Sequence, residues 1–82
     1  MKIKVKLISP RGTPRGFDKF GDAVIDLAQE TTITGALERF DLSRQMPYMT
    51  LVNGESIVES ERAAHRLSDG DELTIFPPIQ GG

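Results

Sequence analysis

The chain has 82 residues and a mass of 9.0 kDa, enough for one compact core and too little for two. With 38% apolar and 27% charged residues it has the composition of a folded soluble domain, because disorder goes with fewer aliphatics or more net charge than −2. It contains no cysteine, which excludes a disulfide framework, a thiolate zinc site and a thiol nucleophile. Apolar runs are only a few residues long, against the roughly 18 needed to cross a bilayer, and no signal-peptide pattern opens the chain, so the expected location is cytoplasmic and no membrane partner is expected.

Residues 2 to 8 alternate Ile3, Val5 and Leu7 with Lys2, Lys4 and Lys6, the period of a half-buried strand. Residues 9 to 21 hold two prolines, three glycines and two arginines, and read as a long, mobile loop. Ala23, Ile25 and Leu27 alternate with Val24, Asp26 and Ala28, so a second strand should pair antiparallel with the first. Thr32 caps a helix of about two turns, shortened by Gly35, with Ile33, Ala36, Leu37 and Phe40 on one face. After Pro47, residues Tyr48 to Val52 form a third strand, Asn53-Gly54 a tight turn, and Ser56 to Val58 a short fourth strand. Residues 59 to 68 supply one helical turn ending near Leu67, and the Ser68-Asp69-Gly70-Asp71 turn leads to a last strand over 73 to 76.

This order suits a two-layer α+β domain over residues 1–76, a mixed sheet of four to five strands packed against one helix. The predicted core is Ile3, Val5, Leu7, Ile25, Leu27, Leu51, Leu73 and Ile75 against the helix face. Residues 1 to 16 carry five cationic side chains and no acid, whereas residues 51 to 82 carry six acids and two arginines. An acidic C-terminal third favours a basic protein partner over nucleic acid, which needs a concentrated cationic surface.

Residues 77–82, Pro77-Pro78-Ile79-Gln80-Gly81-Gly82, form an extended tail. Prolines lack amide protons and favour extended backbone, so six residues at about 3.3 Å each reach up to roughly 20 Å from the domain. Two terminal glycines can enter a channel that a β-carbon would block, bringing the Gly82 carboxylate in first. That carboxylate is anionic at neutral pH and a poor electrophile, so it needs activation, and the usual means is adenylation by ATP. No Walker-type phosphate loop is present, so the activating enzyme is a separate protein, and with no cysteine any sulfur comes from outside.

The stretch from Leu67 to Gly82, with Asp69-Gly70-Asp71-Glu72 and the Phe76-Pro77-Pro78-Ile79-Gln80-Gly81-Gly82 ending, resembles the C-terminus of the MoaD/ThiS family of sulfur carriers, notably the small subunit of molybdopterin synthase. The similarity extends more loosely over the opening strand, the Thr-led helix and Leu51 to Glu55, leaving out residues 9 to 21. The resemblance implies a β-grasp, ubiquitin-like fold. It also implies a cycle in which the Gly82 carboxylate is adenylated and converted to a thiocarboxylate, with Gly81 threading the partner's channel and Phe76 contacting partner enzymes. The implied partners are a ubiquitin-activating-type adenylating enzyme, which uses the ATP, and a sulfur acceptor such as the large subunit of molybdopterin synthase; no cofactor is bound by the carrier itself. Pro77-Pro78 and the chain length point to molybdenum cofactor biosynthesis, while the short helix region and the Arg11-Gly12-Thr13-Pro14-Arg15-Gly16 loop depart from the synthase pattern. Thiamine or tRNA thiolation carriers and ubiquitin-like protein modifiers share the activation step. A binding module acting through its sheet face, with Gly81-Gly82 incidental, is the reading of another class.

An enzyme in its own right is disfavoured, because no nucleophile–base pair or metal cluster is evident. His65 has no second histidine to pair with, and Asp69 and Asp71 belong to a turn signature that needs local hydrogen-bonding side chains. Arg11 and Arg15, without interleaved aromatics, read as a solvated loop. Phe76 is expected on the outer sheet face, as an anchor exposed to a partner.

Overall fold

The computed structural model describes residues 1–8, 16–40 and 48–76. Strand β1 (Lys2–Leu7) follows its alternating pattern, with Ile3, Val5 and Leu7 buried and the lysines exposed. It pairs antiparallel with β2 (Asp22–Asp26), so that Lys2 faces Asp26 and Lys6 faces Asp22 across the ladder. Helix α1 (Ile33–Arg39) is followed by β3 (Met49–Val52), β4 (Glu55–Ile57), a short 3-10 turn (Glu59–Glu61) and β5 (Glu72–Phe76). The spatial order β2-β1-β5-β3-β4 sets the two ends of the described chain side by side, β1 parallel to β5 at the centre of a five-stranded mixed sheet.

One face of that sheet is closed by the helix. Thr32 caps α1 by accepting a hydrogen bond from the Gly35 amide at 3.2 Å, which leaves Ile33, Ala36 and Leu37 turned inward. A β-carbon at Gly35 would come within 3.1 Å of Thr31 Cγ2, so the residue that weakens the helix also lets its cap close. The segment after β4 docks on the helix start: the Ile33 amide donates to the His65 carbonyl and the Leu67 amide to the Thr31 carbonyl. The Ile33 bond, with one from the Thr34 amide to the Arg62 carbonyl, satisfies donors that a helix N-terminus otherwise leaves to water. The core so formed joins Ile3, Val5, Leu7, Val52, Ile57, Leu73 and Ile75 of the sheet to Ile33, Ala36, Leu37 and Leu67.

Three expected details differ. Leu51 is only half-buried, and Thr50 and Val52 face the helix instead. The run Met49-Thr50-Leu51-Val52 has no charged residue to mark an outer face, so its phase is set by pairing with β5. A hydroxyl is tolerated there because Thr50 Oγ1 donates to the Ile57 carbonyl at 3.1 Å and accepts from Arg62 Nε at 3.2 Å. The fourth strand runs Glu55–Ile57, one residue earlier than expected, which leaves Val58 exposed. Ile25 is half-buried against the core because β2 is an edge strand.

Asn53 and Gly54 both have positive φ, 51° and 85°, which is the backbone of a tight hairpin turn matched to strand twist. The Asn53 side chain then reaches β5, accepting from the Glu72 amide and donating to Asp71 Oδ1, both at 3.0 Å.

A candidate protein-docking face on the outer sheet

The site begins with the strand parity. In β5, Leu73 and Ile75 are fully buried, so Phe76 turns to the outer face, as expected, and is half-buried there by its neighbours. The β1 ladder runs one residue past Leu7, because the Ile8 amide donates to the Ile75 carbonyl at 2.8 Å, which sets Ile8 beside Phe76. On the other side Phe76 faces Met49. Ile8 is 50% and Met49 38% exposed. Leu51, opposite Thr74, lies one step further along the same face.

An apolar row therefore crosses three strands of the outer face at the end of β5, where the chain passes to Pro77. Residues of this kind clustered on a small domain mark a surface that another protein covers. Its flank on β1 and β2 is polar, with Lys6 Nζ 3.9 Å from Asp22 Oδ1. A shallow depression nearby is lined by Lys4, Lys6, Asp18, Asp22 and Glu72, whose charges of both signs suit no single ion.

Of the residues singled out in the sequence, Phe76 is placed in this row; Pro77, Pro78, Ile79, Gln80, Gly81 and Gly82 lie outside the described residues, as do Arg11 and Arg15. Asp69 and Asp71 serve the backbone: Asp69 Oδ1 accepts from the Lys2 amide at 2.6 Å, and Asp71 Oδ2 from the Ser68 amide at 2.7 Å. His65 contributes its backbone carbonyl to the helix start. Among the described residues no group of three or more metal-ligating side chains comes together, and no helix is long and apolar enough to cross a membrane.

Ile8 and Met49 were missed by sequence reasoning. The parity of Lys2, Lys4 and Lys6 already places Ile8 on the outer face, but Met49 joins the row only through the β3–β5 register, which no local pattern encodes.

The fold recurs in known structures. SAMP1 from Haloferax volcanii shares 21% identity over the whole of both chains with a TM-score of 0.66. The thiamine biosynthesis protein ThiS from Geobacter metallireducens shares 18% over the whole of both chains, TM-score 0.70. A chain from the complex of subunits 1 and 2 of the molybdopterin-converting factor of Helicobacter pylori 26695 shares 19%, again over both whole chains, TM-score 0.63. No curated protein matches the chain. The ThiS family model matches residues 12–82, which takes in part of the first loop as well as the whole tail. The chain thus has the ubiquitin-like β-grasp fold and belongs to the ThiS family of sulfur carriers.

Proposed function

We propose that this protein carries sulfur on the carboxylate of Gly82. A carboxylate oxygen attacks the α-phosphorus of ATP on a separate adenylating enzyme and releases pyrophosphate. A sulfide-level sulfur from an external donor then attacks the carbonyl carbon and releases AMP, leaving a thiocarboxylate. The carrier contributes no acid, base or cofactor; it contributes a docking face and a reactive terminus. The observation that supports this reading most directly is the position of the apolar row Ile8–Phe76–Met49 at the end of β5, because a partner seated on that row meets the chain where the tail begins. Six residues follow in the sequence, and six residues span at most roughly 20 Å when fully extended, enough to enter a buried catalytic centre.

Delivery to a large-subunit partner in molybdopterin synthesis is the recipient we favour, on the Pro77-Pro78 tail and on the likeness to the molybdopterin-converting factor complex. The ThiS family match favours a thiamine-type recipient as the second reading.

The test is intact mass after incubation with ATP, a sulfur donor and the adenylating enzyme of the same cell. Replacement of one terminal oxygen by sulfur, lost on deleting Gly82, is the expected result. Unmodified carboxylate under all conditions rejects the carrier chemistry and leaves the sheet-face binding module.

A further inference from the structure

The most exposed large apolar side chain on the described surface is absent from the row above. Phe20, 70% exposed, stands on the turn that enters β2. That turn is held closed by one carboxylate, since Asp18 Oδ1 accepts from the Phe20 amide at 2.8 Å and the Asp22 amide at 2.9 Å. The Asp18 amide donates to the Asp22 carbonyl at 2.8 Å, and the Gly21 amide to the Asp18 carbonyl at 3.0 Å. Three residues earlier Phe17 packs inward on Phe40, ring centroids 4.8 Å apart. The turn is thus pinned to the core at one end and to the ladder at the other, where Leu7 donates to the Gly21 carbonyl at 2.7 Å.

That last bond fixes where Phe20 sits. Gly21 is beside Leu7, so Phe20 comes to the end of the sheet that holds Ile8, Phe76 and Met49. With strands about 4.8 Å apart, Ile8, Phe76 and Met49 span roughly 10 Å across β1, β5 and β3, and Phe20 stands on the turn next to that end of β1. Lys19 Nζ lies 5.2 Å from the Phe20 ring centroid and makes no ion pair among the described residues, whereas Lys6 is paired with Asp22. An aromatic ring on a preformed turn, with a cation beside it that makes no ion pair among the described residues, loses little freedom when it docks.

We propose that the Phe20–Lys19 pair is the outer anchor of the docking row, seated in an apolar pocket of the adenylating enzyme that bears a carboxylate at its rim. The inference rests on the sulfur-carrier reading. Lys19 meets the carboxylate while the ring fills the pocket, so the pair sets which adenylating enzyme accepts this carrier. It acts through docking and touches none of the reacting atoms.

The test is ATP–pyrophosphate exchange by that enzyme with the full-length carrier as varied substrate. Phe20→Ser raises the carrier KM roughly tenfold or more, the scale of a lost interface anchor. Lys19→Glu raises it too, and Lys19→Arg restores it. Val24→Ser, which alters an exposed apolar residue opposite Lys4, four residues back along β1 from Ile8, leaves KM as in the parent. Phe20→Ser melts with the parent because its side chain has little to lose on unfolding, so a raised KM is not misfolding. An unchanged KM in Phe20→Ser, beside a raised one in Phe76→Ala, overturns the anchor and leaves the carrier reading standing. A lowered KM in Lys19→Glu overturns the rim carboxylate. If the parent chain supports no exchange at all, both the anchor and the carrier reading fall.

Discussion

Replacing Thr50 by Val removes one oxygen from the middle of the core with almost no change of shape. The hydroxyl is 1% exposed and does two things, donating to the Ile57 carbonyl and accepting from Arg62 Nε. Arg62 Nη2 also donates to the Tyr48 carbonyl, so one guanidinium bridges the start of β3 and the segment that caps the helix. The neutral bond is worth about 0.5 to 1.5 kcal/mol and the charge-assisted one about 1.5 to 3. The added methyl returns about 0.8 kcal/mol of burial. The balance is a loss of about 1 to 4 kcal/mol, which in a domain of this size lowers Tm by roughly 5 to 30 °C. Circular dichroism melts of the single variants Thr50→Val and Arg62→Met and of the double variant measure it, with a coupling above about 0.5 kcal/mol expected between them. A Thr50→Val protein as stable as the parent, or additive single effects, refutes the network as a net contributor.

Leu73→Ala, at a fully buried position where β5 meets β1, costs about 2 to 5 kcal/mol and unfolds a marginal domain, read by urea titration. Gly54→Ala meets no steric obstacle but must hold φ near 85°, so chemical denaturation shows a loss of about 1 to 2 kcal/mol with partner binding retained. Thr32→Ala removes the α1 cap and lowers stability by about 0.5 to 2 kcal/mol in the same assay. Phe76→Ala weakens binding to the adenylating enzyme by isothermal titration calorimetry, while the far-ultraviolet circular dichroism spectrum is kept.

Local chemistry carried much of this protein. The period-two run over Lys2 to Leu7, the Thr32 cap, the Asn53-Gly54 turn and the Asp69-Gly70-Asp71 cluster each name their conformation within a few residues, because capping and turn hydrogen bonds are made between near neighbours. The reading of residues 77–82 rests on the sequence alone, since they lie outside the described residues. Tertiary structure decided what depends on partners distant in sequence. The phase of β3 came from β5, so Val52 and Thr50 took the place expected of Leu51. The parallel β1–β5 pair and the β3–β5 register brought Ile8, Phe76 and Met49 together from three separate segments. An apolar row of this kind is a product of register, and register is a non-local quantity that no single segment encodes.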